Sequence, residues 1–429
     1  MRVGLIGIGT VGGGTYKILT ENSEEIFKKT GKKIEITMVA DTNLSLAKNI
    51  VKAPVTITDD ATKLIQSNEV DIVIELIGGV GISKTFVQQA LENKKHVVTA
   101  NKALIAMHGE ELVKLAKKNN VILAYEASVA GGIPIIKAVR EGLAANKIEW
   151  IAGIVNGTTN YILSEMKENN LSFNVALKQA QELGFAEADP TFDIEGIDAA
   201  HKITILASLA FGIPINFDAA YIEGITQLTQ KDITYAEELG YRIKLLAITK
   251  LVSDGVELRV HPTLIPEKRL VANVNGPMNA VLVKGNMVGP TLYYGAGAGA
   301  EATASAVVAD IIDITRGSTF NIPTLGFVDE YISAKKILPI EEVKSEFYLR
   351  LSMSNKAGLL AKITNIFAKN DVSIDAMVHK EISDESKDPD IFLITSKIEE
   401  RKINEIIQEM ESLPDNKEKI IKIRVEELN

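Results

Sequence analysis

The sequence predicts an α/β protein in three parts. A doubly wound parallel sheet spans residues 1–130, an α+β domain 131–333, and a small βαββαβ domain 346–429. Three observations carry this reading. Apolar runs of strand length alternate with helical patterns through the first 127 residues, as expected of parallel strands joined by crossover helices. A glycine-rich turn lies between the first strand pattern and the first helix pattern. After a linker at 333–345 rich in lysine and glutamate, strand and helix patterns repeat in βαββαβ order.

Composition sets the bounds. At 429 residues the chain is too long for one ordinary core. It is 46% hydrophobic and 24% charged, the profile of a folded soluble chain. A net charge of −9 argues against a nucleic-acid partner, because such proteins carry basic faces that neutralise phosphate. The absence of cysteine excludes disulfides, thiolate metal sites and a cysteine nucleophile. The glycine-broken N-terminus lacks a signal-peptide core. The strongest apolar run, 203–215, is short of the ~20 residues a membrane-spanning helix needs. A cytoplasmic protein with no membrane partner is expected.

In chain order, 2–6 reads as a strand and 11–20 as a helix, joined by Gly7-Ile-Gly9-Thr10-Val11-Gly12. This G-x-G-x-x-G stands where a Rossmann-type sheet binds a dinucleotide. Gly7 permits the tight turn, Gly9 the close approach of pyrophosphate, and Gly12 the packing of helix on strand. The helix start adds free N–H groups and a positive dipole end. The next strand, 34–40, ends at Asp41, the position that takes the ribose 2′-hydroxyl of NAD. No basic residue stands nearer than Lys48, so NAD is favoured over NADP. The long spacing from the glycines is assigned to an inserted polar loop at 21–33.

Residues 70–77, 96–100 and 121–127 read as further strands, with helical patterns at 83–93 and 109–119 between them. Thr99-Ala-Asn-Lys102 follows a strand's carboxyl end, the edge where such sheets bind ligands, which makes Thr99 and Lys102 candidates for cofactor or substrate contact. Residues 126–134 read as a hinge, 151–155 as a strand, and 156–160 as a polar turn. Between 215 and 295 short strands alternate with turns, and His261 is read as a structural histidine. Gly299 closes a glycine-rich stretch before a helix at 301–315, which could return to the first domain and bring Gly299 towards the cofactor.

The stretch 184–202 stands apart. Glu187, Asp189, Asp193, Glu195 and Asp198 crowd into twelve residues, and Lys202 and an apolar run follow. Charge at the edge of a core costs free energy unless it is paired or used. Asp198 and Lys202, four apart, fall on one face of a helix start.

Read from Ala180, this stretch matches without a gap the signature Ala-x3-Gly-(apolar)-(small)-x2-Asp-Pro-x2-Asp-(apolar)-x-Gly-x-Asp-x3-Lys, and the chain strongly resembles homoserine dehydrogenase. Asn156-Gly-Thr-Thr-Asn-Tyr-Ile-Leu163 and Thr99-Ala-Asn-Lys102 resemble two further hallmarks. With the glycine fingerprint, the similarity covers about 1–320. Residues 347–425 resemble an ACT domain, a module that in this family often senses threonine, although Asn355 replaces the usual aspartate of its turn. The resemblance implies reversible hydride transfer between a nicotinamide and L-aspartate 4-semialdehyde, giving L-homoserine, in threonine and methionine biosynthesis. It implies substrate binding at Gly184, Glu187 and Asp198, with Glu187 pairing with the substrate's ammonium group. Asp193 belongs to the same signature. It also implies a monovalent cation, sodium, at Glu126, Val129, Gly131 and Ile133, and a homodimer or homotetramer.

Aldehyde reduction needs a proton donor and positive charge near the developing alkoxide. Of the five histidines only His201 falls in a signature motif, so Lys202 beside Asp198 is the expected general acid/base, with Lys102 as second candidate or electrostatic partner. Aspartate-semialdehyde dehydrogenase chemistry fails for want of a cysteine. The remaining alternative is a non-catalytic sensor of NAD and an amino acid.

Overall fold

The computed structural model describes residues 1–429 except 53, 318–321, 355 and 381–389. Asn355, singled out above, therefore lies outside the described residues. The chain divides into two compact units.

The first unit comprises Met1–Gly157, Asp198–Ala220 and Pro277–Lys335. Its main sheet contains β1 (Arg2–Ile6), β2 (Glu35–Ala40), β3 (Thr56–Thr58), β4 (Ile72–Glu75), β5 (His96–Thr99) and β6 (Leu123–Ala124), all parallel, in the order β3-β2-β1-β4-β5-β6. That is the doubly wound arrangement the alternation predicts. β1 is central, with Leu5 paired in register to Val39 and Ile74, and Val3, Leu5, Ile72, Ile74 and Val98 anchor the core. Helices α1 (Thr10–Glu21), α2 (Ser23–Thr30), α3 (Leu44–Ile50), α4 (Ala61–Gln66), α5 (Gly81–Glu92) and α6 (Lys102–Lys118) connect the strands. The helix Ala300–Arg316 joins this core through Val307, Ile311 and Ile314. It packs closely on α1, where a Cβ on Gly14 would meet the Ala300 carbonyl at 2.6 Å. A second, antiparallel sheet pairs Ile148–Ile154 with Met278–Gly285 and the latter with Gly289–Ala296.

The second unit comprises Thr158–Ile197, Tyr221–Gly276 and Lys336–Asn429. It contains the hairpin Tyr241–Val252/Gly255–Pro266, which continues through Ile421–Val425 to Lys344–Ser352, Asp390–Thr395 and Ile374–Lys380. With helices Leu359–Lys369 and Glu400–Glu411, the C-terminal part has the expected βαββαβ order. Its own core is built on Phe347, Leu349, Leu351, Ile363, Ile403 and Ile406.

Several local expectations are corrected. Residues 21–33 are not an open loop, because α2 occupies most of them. It is held by i,i+4 pairs Glu24–Lys28 at 2.9 Å and Glu25–Lys29 at 3.3 Å, buries Ile26, and ends at Gly31 with φ +67°. Helix α6 starts at Lys102 rather than near 109, capped by Asn101, whose Oδ1 accepts from the Leu104 amide at 3.1 Å. The strand expected at 121–127 shrinks to Leu123–Ala124, and Glu126–Ser128 is a 3-10 turn. The polar turn at 156–160 is instead the start of a buried helix, Gly157–Glu168. The first two strands after 240, Tyr241–Val252 and Gly255–Pro266, have twelve residues each, and buried polar side chains such as Arg259, Thr263 and Lys244 hide that length in the sequence.

Candidate active site

The helix Ile197–Phe211 is buried almost throughout. An ionised pair at its start therefore has to be satisfied by protein groups. Asp198 is 2% exposed and Lys202 7%, one helical turn apart. Lys202 Nζ donates to Asp198 Oδ2 at 2.6 Å and to the Val155 carbonyl at 2.6 Å. Asn156 Nδ2 donates to the same Oδ2 at 2.9 Å. The other oxygen, Oδ1, forms an ion pair with Lys102 Nζ at 2.5 Å. Lys102 reaches it from the start of α6, which is fixed from below. The Asn101 amide donates to Thr99 Oγ1 at 2.9 Å, and Thr99 Oγ1 donates to the buried Glu75 carboxylate at 2.7 Å.

Burial pushes the Asp198 carboxyl up, but the charges of Lys202 and Lys102 and their hydrogen bonds outweigh it, holding the group well below the usual carboxylate range. The carboxylate is thus ionised at neutral pH. Two lysines thus converge on this one carboxylate. His201, the next residue on the helix, behaves differently. Burial pushes its imidazole down to about 4, and the ring lies 4.3 Å from that of Phe217. A neutral imidazole is a poor proton donor, so the lysines are the available acids.

The sequence joined Asp198 to Lys202 and offered Lys102 as a partner, and the structure brings all three together. It adds Asn156 and the Val155 carbonyl, which residue-level reading took for a turn and a strand end. Thr99 is fully buried, engaged with Glu75 and Asn101, and positions Lys102.

The glycine loop fits a dinucleotide. Gly7 has φ +93°, and a Cβ on Gly12 would lie 2.0 Å from the Gly7 carbonyl, so that position tolerates only glycine. Beside Gly9 there is open space, and Thr10 and Gly9 are exposed. The first turn of α1, which includes Val11, carries no acidic residue and has no side-chain cap, leaving its N–H groups to an anion. Asp41 Oδ2 accepts from the Ile8 amide at 2.7 Å and Oδ1 from Asn43 at 2.7 Å, locking the loop to the end of β2. Asp41 also lines a cleft with Thr42, Asp59, Ile77, Ile82 and Phe86. Gly299, with φ +118°, opens the helix Ala300–Arg316 beside α1.

At the expected cation position, Ala130 and Gly131 both have positive φ, 55° and 50°, which turns the backbone sharply and is costly at Ala130. The Glu126 carboxylate accepts from Ile136 and Lys137 amides at 2.9 Å each, and the Glu126 amide donates to Asp310 at 2.8 Å. Val129 and Ile133 are buried. Among the described residues there is no cluster of three or more His, Cys, Asp or Glu that could hold a metal ion. Gly184, Glu187 and Asp193 belong to the second unit. Gly184 has φ +75°, following the helix Phe173–Glu182, Glu187 is exposed, and Asp193 Oδ2 lies 3.2 Å from Thr158 Oγ1. No helix among the described residues is long and apolar enough to cross a membrane.

Comparison with known proteins agrees with this geometry. Residues 7–126 match the NAD-binding domain of homoserine dehydrogenase, 134–312 match homoserine dehydrogenase itself, and 347–415 match the ACT domain. A homoserine dehydrogenase of Pseudomonas aeruginosa is 50% identical, covering 100% of this chain and 99% of its own. The crystal structure of a homoserine dehydrogenase from Thiobacillus denitrificans superposes with a TM-score of 0.95 at 53% identity, over 100% of this chain and 99% of that one. A hyperthermophilic archaeal homoserine dehydrogenase in complex with NADPH gives a TM-score of 0.61 at 26% identity, over 73% of this chain and 97% of that one. Together with the nicotinamide-binding fold and the two-lysine site, these matches show that the chain belongs to the homoserine dehydrogenase family.

Proposed function

We propose that this oxidoreductase interconverts L-homoserine and L-aspartate 4-semialdehyde through Lys202, Lys102 and Asp198. The observation that carries the proposal is the pair of ammonium groups on one buried carboxylate. In the reducing direction the Lys202 ammonium protonates the aldehyde oxygen as hydride adds to carbon. In the oxidising direction its neutral amine takes the hydroxyl proton. Lys102 supplies positive charge to the alkoxide, and Asp198 with Asn156 and the Val155 carbonyl holds Lys202 in place. Gly7, Gly9, Thr10, Val11 and Gly12 would hold the pyrophosphate of a nicotinamide dinucleotide, whose ring would supply or accept the hydride. In this reading Glu187 pairs with the substrate's ammonium group, and Gly184 and Asp193 complete the substrate segment.

Asp41 and Asp59 line the cleft beyond β2, and none of its lining residues is basic. Two carboxylates disfavour a 2′-phosphate, so NAD is the preferred cofactor. A monovalent cation such as sodium would be held by Glu126, Val129, Gly131 and Ile133, where it offsets buried carboxylate charge. We further propose a cytoplasmic homodimer or homotetramer, with threonine as effector at the C-terminal domain. A non-catalytic sensor has no use for two lysines gathered on Asp198. Incubating the purified protein with homoserine and NAD or NADP, and following the absorbance of the reduced nicotinamide, tests reaction and cofactor together. Binding of both ligands without turnover would sink the proposal.

A further inference from the structure

We infer that Arg424, in the C-terminal domain, is a positioning residue for the substrate segment 184–196, acting through Glu223 on its last residues. The inference rests on the reading of that segment given above.

Arg424 is fully buried in the strand Ile421–Val425. Its Nε donates to Glu400 Oε2 at 2.7 Å, and its Nη2 pairs with Glu400 Oε1. These two contacts stay within the C-terminal domain. The other face of the guanidinium leaves it. Nη1 donates to Glu223 Oε2 at 2.7 Å, Nη2 to Tyr221 Oη at 3.1 Å, and the guanidinium lies 4.8 Å from the centre of the Tyr221 ring. Tyr221 Oη in turn donates to Glu223 Oε2 at 2.7 Å. A planar fork with donors on two sides can bridge two carboxylates in a way a lysine cannot.

Glu223 is fixed at its backbone as well, its amide donating to the Val260 carbonyl at 2.8 Å. The two residues after it touch the substrate segment directly. The Ile225 amide donates to the Ile194 carbonyl at 2.9 Å. A Cβ on Gly224 would lie 2.3 Å from that carbonyl and 2.6 Å from Glu195 Cα. Gly196, with φ +84°, packs against Val260 and Ile222. Ile194 and Glu195 therefore rest on backbone whose position Arg424 holds through one carboxylate. The segment then runs directly into the helix that carries Asp198. A shift at Arg424 passes to substrate contacts without touching the glycine loop.

The test separates substrate from cofactor. Glu223→Gln keeps shape and removes the charge that Arg424 grips. It should raise the KM for homoserine about fivefold, with kcat within about twofold and the KM for NAD unchanged. Arg424→Met should act in the same sense, and Arg424→Lys should recover only part of the loss. Lys231→Met breaks another ion pair to the C-terminal domain, with Asp390 at 2.9 Å, that bypasses residues 221–225, and it should leave the homoserine KM unchanged. Should Glu223→Gln fail to fold, Tyr221→Phe, which removes only the hydroxyl buttressing Glu223, decides in its place. An unchanged homoserine KM in the folded variant, or an equal rise for both substrates, overturns the inference. Glu187→Gln isolates the underlying reading. If it leaves the homoserine KM unchanged, the substrate segment is misassigned and the inference falls with it. If it raises that KM while Glu223→Gln does not, only the positioning role fails.

Discussion

Asp198 and Glu426 are both buried carboxylates that bridge two cations, yet we assign only Asp198 to a chemical site. Glu426 takes Arg259 Nη2 on Oε1 at 2.5 Å and Lys250 on Oε2 at 2.5 Å. Opposing charges hold both carboxyls low against burial, Glu426 at about 2. The difference lies in what surrounds the bridge. Arg259 also binds Glu257 at 2.8 Å, so two cations face two anions and the cluster is neutral. At Asp198 both cations are lysines, whose ammonium groups can give up a proton, as an arginine cannot. Lys102 keeps 36% of its side chain exposed, whereas Arg259 is sealed at 1%. Buried charge alone does not mark an active site; the assignment of Asp198 rests on paired groups that can exchange a proton and on an accessible member.

The sharpest way to break the comparison is to remove one cation from each bridge. Lys202→Ala should lower kcat by about three orders of magnitude, within the usual range for a general acid. Cofactor affinity, measured by fluorescence titration, should stay nearly unchanged. Near-normal turnover would remove Lys202 from its role. Lys102→Ala should cost less, about a hundredfold, since it supplies charge rather than a proton.

Arg259→Met inverts the pattern. It leaves Glu257 and Glu426 without their shared partner and should cost about 3 kcal/mol of stability in denaturant titration, with kcat within about twofold. A large loss of rate in a protein of normal stability would show that the neutral cluster also serves the reaction.

A third carboxylate extends the comparison, because Asp41 answers to backbone amides rather than to cations. Asp41→Ala should weaken NAD about tenfold while weakening NADP much less, since only the ribose hydroxyl loses a partner. Equal losses would mean that Asp41 serves only to hold the loop at Ile8.

How much of this was legible depends on distance along the chain. Asp198 and Lys202 are one helical turn apart, so spacing alone joined them. The doubly wound parallel sheet followed from alternation, and the glycine loop from residues adjacent in sequence. Lys102, Val155 and Asn156 arrive from more than forty residues away, and nothing local says that they converge on one carboxylate. Helix α2 was missed because its stabilising pairs are exposed charges and Ile26 is its one buried side chain. The Arg259 cluster was invisible for a related reason. A charged residue in a strand reads as solvent-facing until its partners from the C-terminal strand are in place.

The smallest expected effect concerns His201, which separates charge from mere proximity at the site. Its folded pKa is about 4 against 6.5 in an unfolded chain. As pH falls below about 6.5 the unfolded chain takes up the proton first, so stability is lost between there and about 4, and the loss ends once the folded imidazole also protonates. From pH 7 to pH 5 this amounts to about 1–2 kcal/mol. Asp310, pushed up to about 6 by burial, acts in the opposite direction, so the wild-type curve alone does not isolate the histidine. The measure is the difference between wild type and His201→Gln in urea denaturation at the two pH values. The variant should lose about 1–2 kcal/mol less than wild type on acidification. Parallel losses would mean that the imidazole is already charged in the folded protein. Three cations would then crowd Asp198, and His201 would become a competing proton donor to Lys202.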